Sequence, residues 1–109
     1  MESNITTKLN YKLGMAEYAT KSEVTAAYRA MLNSYNLGES LDRDDSSRLY
    51  YLLLEHPSAH IKMGKRITSI IVDTAMHGTR CFYLLYDDGT KDDFSYTQCI
   101  SNMKKNNDK

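Results

Sequence analysis

The apolar pattern of this 109-residue chain changes its period at the chain's one proline, Pro57. Before it, large apolar residues recur at three- and four-residue steps, the spacing that paints one face of a helix. After it, β-branched and aromatic residues gather in short runs bounded by turn residues, the signature of strands. A chain with this order folds as helices first and a sheet second, the α+β class.

The first helical run is Ser22–Tyr35, with Val24, Ala27, Tyr28, Met31, Leu32 and Tyr35 on one face. Ser22 is read as its N-cap, because a hydroxyl there accepts from the orphan N–H groups, and Gly38 as its stop. Asp42 opens a second helix whose first turn carries Asp44 and Asp45, favoured by the helix dipole. Leu49, Leu52, Leu53 and Leu54 are its apolar body, and Pro57 ends it. Residues 1–20 carry only hints of short extended pieces, broken at Gly14. The connector from His56 to Arg66 reads as short, irregular and basic.

Beyond it, Ile67, Ile70, Ile71 and Val72 mark one strand and Cys81–Tyr86 a second. Asp87-Asp88-Gly89-Thr90 is a hairpin turn, and Lys91–Tyr96 is the return strand with Phe94 and Tyr96 inward. Thr97–Met103 makes a last turn or short helix, and 104–109 is a frayed polar tail. The expected fold is two N-terminal helices, then a small antiparallel sheet of three or four strands, then a short C-terminal helix or turn. A single domain with its core over about 18–100 is expected from this length.

Fourteen Lys and Arg balance fourteen Asp and Glu, so the net charge is zero. That excludes a polycation that coats nucleic acid by bulk charge, but not a local patch. Splitting the chain after Glu55 leaves six basic and eight acidic residues before it, and eight and six after it. With nine tyrosines and no tryptophan, tyrosine rings must complete the core. The longest apolar run, Cys81–Tyr86, is far short of a membrane span, and no secretory leader pattern follows Met1. The two cysteines, Cys81 and Cys99, are then expected as reduced, buried thiols in a soluble cytoplasmic protein.

Three constellations could carry chemistry. Lys62, Lys65 and Arg66 place three fixed cations in five residues, with His56 and His60 beside them. Phosphate contact needs such groups projecting together, and Arg66 could stack on a base. The plain alternative is a solvated loop. Tyr83, Tyr86 and Tyr96 lie on the expected sheet, where exposed rings stack RNA bases. Tyr83 and Tyr86 have opposite parity, however, and a thin core needs such rings as filling. Asp93 and Ser95 share a face, but no histidine lies near them in sequence and there is no nucleophile elbow. A zinc site from His56, His60, Cys81 and Cys99 lacks a C-x₂-C knuckle, and Pro57 denies the histidines a common helix face. No catalytic residue, metal or cofactor is expected.

Several ordered strings together carry a resemblance: Leu53-Leu54-Glu55-His56-Pro57, Lys62-Met63-Gly64, Arg80-Cys81-Phe82, Asp88-Gly89-Thr90, and Asp93-Phe94-Ser95-Tyr96 with Cys99-Ile100. Over roughly Tyr18–Ile100 the chain resembles the plant DCL ("defective chloroplasts and leaves") domain, also called DUF3223 and found in bacteria and phages. In plants that domain occurs in a chloroplast protein needed for ribosomal RNA maturation and at the tail of a specialised RNA polymerase large subunit. The resemblance implies a non-enzymatic, RNA-associated module; for a phage-encoded member the compartment would be the host-cell cytoplasm. The family tends to carry glycine where this chain has Arg66, which adds charge and removes a flexible site.

The expected ligand is thus RNA or another single-stranded nucleic acid, held by Lys62, Lys65, Arg66 and Arg80 with help from His56, His60 and Tyr96. Replacing Lys62, Lys65 and Arg66 by alanine should then abolish binding while the melting temperature stays in place. The alternative is a protein-interaction module, docking on RNA polymerase or another complex. No membrane partner is expected.

Overall fold

The computed structural model describes residues 9–105. It opens on a small hairpin, β1 (Tyr11–Leu13) and β2 (Ala16–Tyr18), paired Tyr11↔Tyr18 and Leu13↔Ala16. Tyr11 and Leu13 point into the core and Lys12 points out, so even three residues alternate. Gly14 turns the hairpin at φ +64, a region costly for other residues.

Helix α1 (Lys21–Asn33) starts earlier than Ser22 predicts. Thr20 is its cap, and its hydroxyl accepts from the Glu23 N–H at 3.2 Å. Glu23 Oε1 in turn accepts from the Ala19 N–H at 3.0 Å. Thr20-Lys21-Ser22-Glu23 is a Thr-x-x-Glu capping sequence, and the glutamate three residues on decides between the two hydroxyls. Val24, Tyr28, Met31 and Leu32 are its buried face. Gly38 does not stop the helix, which ends at the Ser34 cap. At φ +85, Gly38 instead swings the chain onto the edge of the sheet. There Gly38 and Leu41 donate to the Val72 and Ile70 carbonyls at 2.7 and 2.8 Å.

Asp42 caps α2 (Arg43–Leu53) as expected, accepting from the Asp45 N–H at 2.8 Å. Leu49, Leu52 and Leu53 are buried, whereas Leu54 is exposed because it falls past the helix end. The connector is less irregular than its composition suggests: Ala59–Lys62 form one helical turn, α3.

The sheet has three antiparallel strands in the order β3 (Ile67–Thr74), β4 (Arg80–Tyr86) and β5 (Lys91–Phe94). Gly89 at φ +88 closes the β4–β5 turn. Ile70, Val72, Phe82, Leu84, Tyr86 and Phe94 bury one face of the sheet against the helices. The last strand stops at Phe94, not Tyr96. Ser95 caps α4 (Tyr96–Ser101) by accepting from the Gln98 N–H at 3.2 Å, a Ser-x-x-Gln start that overrides the Phe94/Tyr96 alternation. The Tyr96 ring packs edge-on to Phe82 at 6.0 Å, while Phe94 stacks on Phe82 at 5.9 Å. Helix α4 packs against both α1 and α2. No helix among the described residues is long and apolar enough to cross a membrane.

Candidate functional site

The connector cations are held by aspartates from the sheet. Lys62, whose side chain is only 14% exposed, donates to Asp92 Oδ2 and to the Asp93 carbonyl, both at 2.8 Å. Tyr86 donates its hydroxyl to the Lys62 carbonyl at 2.6 Å, so this residue clamps α3 to the edge of β5. Lys65 pairs with Asp88 at 2.8 Å, reaches Thr90 Oγ1 at 3.2 Å, and lies 5.5 Å over the Tyr86 ring. Its hydrogen bond to Asp88 raises the Lys65 pKa, and Lys65 and Thr90 together hold the Asp88 carboxyl well below the usual range. Arg66 is exposed, and among the described residues nothing engages its guanidinium.

The remaining candidates are dispersed. His56 Nδ1 accepts from the Ser58 N–H at 2.9 Å, and desolvation, then the Lys62 charge, lowers its pKa. His60 is exposed on α3. Arg80 stands at the other end of β4 from Tyr86, a separation of roughly 20 Å along a strand, and donates to the Tyr35 carbonyl at 2.6 Å. Tyr96 serves the core. Tyr83 and Tyr86 lie on opposite faces: Tyr86 is buried, and Tyr83 donates to the Thr74 carbonyl at 2.9 Å beneath Lys91.

The structure does bring His56 and Lys62 together with Asp92, Asp93 and Ser95 around a hollow of about 440 Å³. This places a histidine near Asp93 and Ser95 that sequence proximity did not show. The three do not form a relay, because His56 Nδ1 takes the Ser58 N–H and Ser95 Oγ takes the Gln98 N–H. Two carboxylates against one ammonium also make the hollow a poor phosphate cradle. Cys99 is fully buried, its thiol pushed up to about 12 mainly by burial, and Cys81 is half-buried. Among the described residues no cluster of His, Cys, Asp or Glu could hold a metal ion.

A different basic surface emerges where α1 meets α4. Lys21, Ser22, Thr25, Ala26 and Arg29 line a shallow groove of about 280 Å³ along α1. Lys21 donates to the Ser101 carbonyl at 2.9 Å and so joins this groove to the end of α4. Lys104 and Lys105 follow, both exposed. Glu23 is the one carboxylate on α1, and residues 95–105 contain none. The sequence signal for this face was that acid-free stretch, of which only Lys104 and Lys105 fall in the expected polar tail; residues 106–109 of that tail lie outside the described residues.

The profile of a protein family of unknown function, DUF3223, matches residues 29–100. DNA-directed RNA polymerase IV subunit 1 of Arabidopsis thaliana is 31% identical over 83 residues, covering 75% of this chain and 6% of that subunit. RNA polymerase V subunit 1 of the same plant is 35% identical over 78 residues, covering 67% and 4%. The chain therefore spans only a small fraction of the curated relatives it matches. The solution NMR structure of an uncharacterized protein from Rhodospirillum rubrum superposes with a TM-score of 0.77 at 32% identity. That match covers 87% of this chain and 91% of the other. Neither the family nor this neighbour carries a catalytic assignment.

Proposed function

The chain belongs to the DUF3223 family, and from that premise we propose that it is a non-catalytic module that binds single-stranded RNA beside a transcription or RNA-processing machine. The kinship with DCL and its RNA role belong to this proposal. The observation that carries it is the α1 groove, where Lys21 and Arg29 line one concavity and Lys21 reaches Ser101 at the end of α4, shortly before the exposed Lys104 and Lys105. Glu23 on α1 and Glu55, whose carbonyl accepts from Asn102, are carboxylates beside it. Lys21 and Arg29 stand eight residues apart on one helix, about 12 Å, a span that suits phosphates along one backbone. Arg66 is an auxiliary contact, and Lys62 and Lys65 act as structural groups.

Fluorescence anisotropy titrations against single-stranded RNA, single-stranded DNA and duplex DNA at two salt concentrations test this. Each phosphate contact contributes roughly 0.7 to the log–log salt slope for single strands. Replacing Arg29, Lys104 and Lys105 together by glutamine should weaken binding at least tenfold and flatten that slope by roughly 2. A variant that binds RNA as well as the parent, with the same slope, refutes the assignment of this face.

The second reading, a protein-interaction module docking on RNA polymerase, rests on the polymerase subunits among its relatives. Retention of a polymerase complex after nuclease treatment would favour it over RNA binding.

A further inference from the structure

The β1–β2 hairpin leans against α2 and leaves a groove of about 420 Å³ between them. Leu13, Met15, Ala16 and Tyr51 give it apolar walls. Met15 at the hairpin tip is 96% exposed, Tyr51 is 47% exposed, and Leu54, one turn further along, is 57% exposed. Met15 and Tyr51 thus leave two large apolar side chains in water at one concavity, and a flexible thioether adapts to varied contact surfaces. The floor is built in advance. Gly14 has no side chain, and a Cβ there would sit 2.5 Å from the Tyr51 ring, so only glycine lets that ring lie against the hairpin.

The charges at the mouth indicate what it takes. Arg48 is compensated by Asp45 at 3.0 Å, and Asp45 also accepts from the Tyr35 hydroxyl at 2.6 Å. Asp44, on the same rim, has no side-chain partner among the described residues. An apolar groove with one uncompensated carboxylate repels phosphate and favours an apolar side chain followed by a cation. We infer that the hairpin–α2 groove is a docking site for a short amphipathic helix of a partner protein, which inserts a leucine-sized side chain beside Tyr51 and sets a lysine or arginine against Asp44. This goes beyond RNA binding and gives the protein-interaction reading its surface.

Isothermal titration of the full chain with two helix-stabilised synthetic peptides tests it, one with leucines and lysines along a single face and one with glutamate for each lysine. The lysine peptide should bind at one site, and the glutamate peptide at least tenfold more weakly. Met15→Asp should abolish peptide binding. Asp44→Asn should weaken it by about threefold, the effect of one rim ion pair. Met15 is exposed, so its variant should keep the parent melting temperature, and both variants should keep the parent RNA affinity. Equal peptide binding by parent and Met15→Asp overturns the proposal. So does a dimer in sedimentation equilibrium that Met15→Asp dissolves, since the occupant would then be a second copy. Loss of RNA binding in Met15→Asp overturns it too, whereas an absence of RNA binding in parent and variants alike would refute the proposed function and leave the groove standing.

Discussion

Lys62→Ala separates a structural role for the connector from a ligand-binding one. The Lys62 ammonium is nearly buried and makes two hydrogen bonds of 2.8 Å, to a carboxylate and to a backbone carbonyl on the β5 edge. A charge-assisted hydrogen bond contributes about 1.5–3 kcal/mol when enclosed. The Asp92 side chain is 41% exposed, so water takes over part of what is lost and the pair itself is worth about 1 kcal/mol or less. Adding the carbonyl contact and the packed lysine stem gives about 1–2 kcal/mol in all. For a chain this size that is a fall in Tm of roughly 4–12 °C. Thermal melts of Lys62→Ala, Asp92→Asn and the double variant measure both the loss and a coupling of about 0.5–1 kcal/mol, smaller at high salt. Arg66→Ala should leave Tm within about 1 °C, since its side chain holds nothing. The composition-based expectation had all three connector cations removable without cost. A Lys62→Ala melt within about 1 °C of the parent would restore that expectation and refute the clamp.

Two further outcomes follow from the geometry. Gly14→Ala should lower stability by about 1–3 kcal/mol in chemical denaturation, because it combines a positive φ with a clash against the Tyr51 ring; an unchanged midpoint would sink this. On the alkaline side, burial and then the bond to Asp45 push Tyr35 from 10.0 up to about 12, and burial pushes Cys99 from 9.0 up to about 12. Both groups hold their protons longer when folded, so their contribution is complete below pH 9 and is lost as pH climbs from there towards 12. Melts across that window should show a falling Tm together with late tyrosine ionisation in near-ultraviolet absorbance, and a flat Tm would contradict it.

The parts of this fold legible in the sequence are those set by short-range rules. The α1 face, the Asp42 cap and the Asp87–Thr90 hairpin each needed only neighbours within a few residues. The N-terminal hairpin was legible only as hints of short extended pieces broken at Gly14, because three-residue strands are too short to show a period. The end of β5 was misplaced because Phe94 and Tyr96 satisfy strand alternation, while Ser95 and Gln98 satisfy a helix start. In that contest the cap, with the Ser95 hydroxyl accepting from the Gln98 N–H, won over side-chain parity. The candidate site was legible as charge but not as pairing. Lys62 meets Asp92 thirty residues away, and Lys21 meets Ser101 eighty residues away. No local pattern announces either contact.

On the proposed reading, that difference lets a chain of zero net charge offer a surface to a polyanion. The ion pairs Lys62–Asp92, Lys65–Asp88 and Arg48–Asp45 each compensate one charge of either sign, so of the three connector cations only Arg66 stays unpaired among the described residues while the balance is unchanged. What is left is unevenly distributed. Residues 39–44 keep Glu39, Asp42 and Asp44 against Arg43, while α1 and residues 95–105 carry four cations against Glu23. In the proposed RNA-binding role, a neutral total with separated poles would steer a phosphate chain towards α1 and α4 and away from the start of α2, without the bulk attraction that makes a polycation coat nucleic acid indiscriminately. Because few contacts would then supply the attraction, the proposed affinity depends on keeping α4 docked on α1. Ser101 is where Lys21 fastens that joint, so Lys21 contributes both a charge and the alignment of the others.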